Sequence, residues 1–127
     1  MSANVLKWLS FADENLEVAR LSMRGGYYNA CLQNIQQAVE KYLKAVLLGK
    51  NGCAKRTHSI EALVLELQGS GVEKLLAIDE CELFDSLYIP SKYPVGTALP
   101  DFVPDEAICR QCLEIAERVK LFGHQTS

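Results

Sequence analysis

The chain has 127 residues, 49% of them hydrophobic and 23% charged, with a formal net charge of −3 at neutral pH. That length and balance give one domain with enough apolar side chain for a buried core, and they exclude a disordered segment. The negative total excludes wholesale attraction to polyanions, so nucleic-acid contact would need a local basic patch.

The first helix is predicted over about Ala3 to Met23. Val5, Trp8, Leu9, Ala12, Leu16, Ala19 and Met23 recur at spacings of three and four, which marks one buried face, and Gly25-Gly26 ends it. The second is predicted over Tyr27 to Leu48. Its stripe of Tyr28, Cys31, Ile35, Ala38, Tyr42 and Ala45 is widened by Leu32, Val39, Leu43 and Val46, so this helix should lie centrally. Its opposite arc carries Asn29, Gln33, Gln36, Gln37, Glu40, Lys41 and Lys44, with Glu40 and Lys44 four apart in the favourable order for an ion pair.

Gly49 to Arg56 reads as a polar, partly basic loop. Thr57 or Ser59 would cap a third helix whose core face is Ile60, Leu63, Val64 and Leu67. After Gly69-Ser70-Gly71 a fourth helix is predicted from Val72 to Leu87. Pro90, Pro94 and Pro100 then predict a long non-helical segment from Tyr88 to Val103, and a loop of that length is often functional. Pro104 suits the first turn of a fifth helix with a stripe of Ile108, Cys112, Ile115, Ala116, Val119 and Phe122. No segment alternates as a strand does. The expected fold is an all-α, up-and-down antiparallel bundle of four to five helices.

Little complete chemistry is visible. Neither His58 nor His124 has a glutamate three residues before it, so a di-metal bundle centre is not expected. Cys109-x-x-Cys112 stands without a second pair inside a helical pattern and reads as core rather than as zinc ligands. Gly49-Lys50-Asn51-Gly52 follows a helix and lacks the Gly-Lys-Ser/Thr ending of a phosphate loop. Five cysteines, an odd count, point to reduced thiols. Met1 to Lys7 shows no signal peptide and no apolar run could span a bilayer, so a cytoplasmic protein without membrane contact is expected. Two basic groupings remain: Lys50, Lys55, Arg56 and His58, and Lys92 within Tyr88-Ile-Pro-Ser-Lys-Tyr-Pro94. The second could stack a base and hold a phosphate; alternatively Tyr88 and Tyr93 pin the loop while Lys92 is solvated.

Four segments in order resemble the HEPN domain (higher eukaryotes and prokaryotes nucleotide-binding). They are Trp8 with Ala12, Leu16, Ala19 and Gly26-Tyr-Tyr-Asn-Ala30; Gln36-Gln-Ala-Val-Glu-Lys-Tyr-Leu-Lys-Ala45; His58-Ser-Ile60; and Tyr88 through Pro94. The resemblance implies one HEPN-like domain over residues 1–127, a homodimer, and a non-enzymatic partner role beside a minimal nucleotidyltransferase in a toxin–antitoxin system. It implies nucleotide or RNA contact through Lys44, Tyr88, Lys92, Tyr93 and His58, with no metal and no cofactor. Where the family carries arginine in the Tyr-x-x-x-Arg-Tyr-Pro segment this chain has Lys92, which keeps the charge and loses the bidentate fork. Other members are metal-independent ribonucleases using Arg-x(4–6)-His. Arg118 and His124 fit that spacing, yet they fall at the end of the last helix, where fraying would deprive an acid–base pair of fixed geometry. A structural dimeric adaptor without ligand is the third alternative.

Overall fold

The computed structural model describes residues 2–92 and 102–126, with side chains described through residue 88 and again from residue 102. Among the described residues the chain is an all-α bundle of five helices: α1 Ala3–Arg24, α2 Tyr28–Asn51, α3 Ile60–Gly69, α4 Ile78–Lys92 and α5 Glu106–Thr126. None of them is long and apolar enough to cross a membrane.

Local chemistry sets the ends. The Ser2 hydroxyl accepts the Val5 N–H at 3.2 Å and starts α1. Gly26, at φ 81, takes the left-handed conformation that lets the chain turn back. The second helix runs past its predicted end at Leu48 to Asn51. Gly52 at φ 76, not Gly49, supplies the left-handed cap, and its N–H bonds the Leu48 carbonyl. For α3, Ser59 rather than Thr57 is the cap, accepting from the Ala62 N–H at 3.1 Å. Asp85 of α4 reinforces that end, taking the Ser59 hydroxyl at 3.0 Å and the Ile60 and Glu61 amides at 2.5 and 3.3 Å.

The fourth helix departs most from expectation. Residues 72–77 are not helical; α4 starts at Ile78, where Glu80 reaches back to the Ala77 N–H at 2.9 Å as half of a capping box. At its other end α4 continues through Pro90 to Lys92. A proline in a closing turn removes a single backbone hydrogen bond, which a packed helix tolerates, so the non-helical segment does not begin at Tyr88. Asp105 rather than Pro104 sets the start of α5, accepting the Ile108 N–H at 2.9 Å.

Helix α2 is the hub, touching each of the other four. Against α1 it runs antiparallel: Gly49 meets Val5, Tyr42 meets Asp13, and Lys41 donates to Asn15 at 2.6 Å. Beside α5 it runs in the same sense, with Tyr28 against Cys109 and Tyr42 against Gly123. A Cβ on Gly123 would come within 3.2 Å of the Tyr42 ring, so the absent side chain is what lets the two helices close here. The core collects the predicted stripes, from Leu9, Leu16, Ile35 and Leu43 to Leu63, Phe84 and Val119. Each such side chain contributes about 1.5–3 kcal/mol on burial.

Cys31, Cys109 and Cys112 lie in this core. Burial, with a hydrogen bond to Cys109 and the charges of both neighbouring thiols, pushes the Cys31 thiol up to about 12. Burial and then Cys109 push Cys112 up to about 12, and burial with the Asp85 charge pushes Cys81 up to about 11. Burial raises Cys109 as well. These are neutral packing groups. Among the described residues no three His, Cys, Asp or Glu side chains are grouped to hold a metal ion. In the native protein an aromatic disulfide reagent at pH 8 should therefore modify one thiol within minutes, the exposed Cys53, and the other four only in denaturant. Two or more fast thiols in the folded state would contradict this packing.

Candidate functional site

The polar residues of α2 at positions 36, 40 and 44 are one turn apart and form a short row. Gln36 and Glu40 are buried, Glu40 with only 4% of its surface exposed. A carboxylate so deeply placed must be matched by donors, or its desolvation would expel it. Lys44 Nζ lies 3.0 Å from Oε2 and His58 Nδ1 lies 3.2 and 3.3 Å from the two oxygens, while Gln36 Nε2 stands at 3.5 Å. Because a carboxylate only accepts, Nδ1 carries the proton and Nε2 is left for other partners. Gln36 Nε2 also donates to the His58 carbonyl at 3.3 Å, and Gln37 braces Gln36 at 2.7 Å.

From the other side Tyr88 of α4 stacks on His58, ring centroids 4.7 Å apart and planes inclined by 15°. The two aromatic residues thus hold each other, while 58% of the histidine side chain stays exposed. Of the expected binding residues, Lys44, His58 and Tyr88 come together in one chain of contacts linked through Glu40. The side chain of Lys92, and Tyr93 altogether, lie outside the described residues. Glu40 itself was legible in the sequence only as half of an ion pair. Chemically, the row offers a histidine oriented by a buried carboxylate, a cation beside it and an open ring edge, which suits hydrogen bonding and stacking to a flat polar ligand.

The alternative pair is placed quite differently. Arg118 Nη2 lies 2.6 Å from Glu80 of α4, whereas His124 Nε2 lies 2.9 and 3.1 Å from Asp13 of α1. Within one chain, then, the two point to different neighbours. For Glu80, burial raises the carboxyl, but the Ala77 N–H and the Arg118 guanidinium outweigh it and hold it below the usual carboxylate range. In this structure α5 extends to Thr126, past His124. Besides Asp13, His124 meets the edge of the Tyr42 ring at 6.0 Å, and Tyr42 Oη donates to Asp13 at 2.5 Å. Burial first, then the bonded Asp13 carboxylate, drives the Tyr42 phenol well above its ordinary range. This Asp13–Tyr42–His124 cluster left no signal in the sequence, since its members are scattered and Tyr42 reads simply as core.

Comparison with known proteins sets this arrangement in a family. The profile of the HEPN domain matches residues 5–124. A Methanocaldococcus jannaschii protein named "Putative toxin MJ1304" is 30% identical over 121 residues, spanning 85% of this chain and 78% of that protein. The crystal structure of TT1696 from Thermus thermophilus superposes with a TM-score of 0.79 at 25% identity, covering 99% of this chain and all of that one. That of ST0689, an archaeal HEPN homologue, gives a TM-score of 0.68 at 28% identity over 95% of each chain. With nearly its whole length matched, the chain belongs to the HEPN domain family.

Proposed function

We propose that this chain is the HEPN partner of a toxin–antitoxin pair, acting as a homodimer in the cytoplasm beside a minimal nucleotidyltransferase, and that it binds nucleotide through Lys44, His58 and Tyr88. The observation that carries the binding part is the buried Glu40 carboxylate, which fixes His58 and Lys44 while leaving an imidazole edge and face open. A base can continue the His58–Tyr88 stack, and Lys44 supplies charge beside it. The relative with a toxin name supports the system to which the chain is assigned. Titrating ATP while following the His58 ring protons by NMR, assigned with His58→Ala, tests this. Saturable displacement of those signals is expected, weakened about tenfold by Lys44→Gln. Unmoved His58 signals at millimolar ATP would remove the binding claim.

A second reading, a metal-independent ribonuclease, is favoured by one observation: His124 is held by Asp13 as a general base is held by its orienting carboxylate. Arg118 would then have to be supplied to it by another copy of the chain. Incubation with RNA in chelator decides between them. Under the first reading RNA stays intact, while cleavage that His124→Ala lowers at least roughly a hundredfold would establish the second.

A further inference from the structure

On the far side of Lys44 lies a cleft of about 330 Å³ lined by Trp8, Lys44, Leu48, Ala54, Lys55 and Arg56. Its floor is the half-buried Leu48 and Ala54, one wall is the half-buried indole of Trp8, and its rim is the exposed pair Lys55 and Arg56. Several cations of this chain are held by carboxylates: Arg20 by Glu17 and Glu117, Lys44 by Glu40, Arg110 by Glu106, Arg118 by Glu80. Among the described residues the side chains of Lys55 and Arg56 have no such partner, nor does the indole N–H of Trp8. The segment from Gly49 to Ser59 contains no Asp or Glu, so nothing nearby in sequence cancels this charge. A chain with net charge −3 therefore keeps a local positive field at the mouth of an aromatic-walled cleft.

That combination selects a ligand with a flat ring and an anionic group a few ångströms away. The guanidinium presents the planar fork suited to phosphate oxygens, and the indole is the strongest stacking surface a side chain offers. The volume is at the lower end of small-ligand pockets, roughly 300–1,000 Å³, and admits one nucleotide rather than a dinucleotide. We propose that this cleft is a nucleoside monophosphate site, with the base against Trp8 and the phosphate on Lys55 and Arg56. It does not rest on the His58 reading: Lys44 borders both places, but here the phosphate is assigned to Lys55 and Arg56, which lie outside the His58 site.

Trp8 is the single tryptophan of the chain, so its fluorescence reports ligands that reach the indole; because Trp8 also borders a hollow with Asn4, Lys7 and Phe11, the variant of Lys55 and Arg56 is what assigns the quenching to this cleft. Adding adenosine monophosphate should quench that emission saturably, and ribose 5-phosphate, which has no base, should compete without quenching. A Lys55→Gln/Arg56→Gln double variant, altered only at exposed positions, should keep the thermal midpoint and need at least about tenfold more nucleotide. His58→Ala should leave the titration unchanged, which separates this site from the other. Quenching that never saturates up to millimolar nucleotide, an unchanged midpoint of titration in the double variant, or loss of quenching in His58→Ala would each overturn the assignment.

Discussion

A carboxylate buried on the central helix constrains everything around it. Glu40 is 4% exposed, and an unpaired charge at such depth would be destabilising by several kcal/mol. Its oxygens are met by Lys44 from the same helix and by His58 from the connection to α3. That requirement decides where the chain passes after α2. One residue on, Ser59 starts α3 and hands its hydroxyl and the following amides to Asp85 of α4. The connection is therefore tied on both sides within two residues. Tyr88 follows Asp85 by one helical turn on the same face of α4, which sets its ring over His58.

The same helix carries a second polar group facing the other way. Tyr42 stands two residues beyond Glu40, about 200° around the helix, and its phenol is satisfied by Asp13 of α1 with His124 of α5 alongside. The hub thus separates two polar clusters with different neighbours, Glu40 toward α3 and α4, Tyr42 toward α1 and α5. Ligand binding and any strand-cleaving chemistry would have to be sited on opposite flanks. Both clusters depend on small residues nearby: Gly123 lets α5 approach Tyr42, and Gly52 turns the chain toward His58.

How far this was legible follows from the type of signal. Periodic apolar residues fixed the helices and the hub, because a 3.6-residue repeat states which face is buried without reference to any partner. Helix ends were less legible where a side chain from elsewhere acts as cap. Asp85 on the start of α3 is invisible in sequence, and the proline rule set too early an end for α4 because packing can absorb one missing hydrogen bond. That Lys44, His58 and Tyr88 would lie near one another was legible from their residue types and from family resemblance. The buried state of Glu40 was not, since an i, i+4 ion pair reads the same on a solvated face. Trp8 was read as core and family signature alone; that it also walls a cationic cleft depends on the 49–56 segment folding back over α1.

Glu40 as organiser of the site is tested most directly by a double-mutant cycle of Glu40→Ala and His58→Ala in urea denaturation. Removing the carboxylate should destabilise the protein by about 3 kcal/mol, and the two substitutions should couple by roughly 1 kcal/mol or more. A loss within about 0.5 kcal/mol for Glu40→Ala, with strictly additive effects, would mean that this carboxylate holds nothing in place.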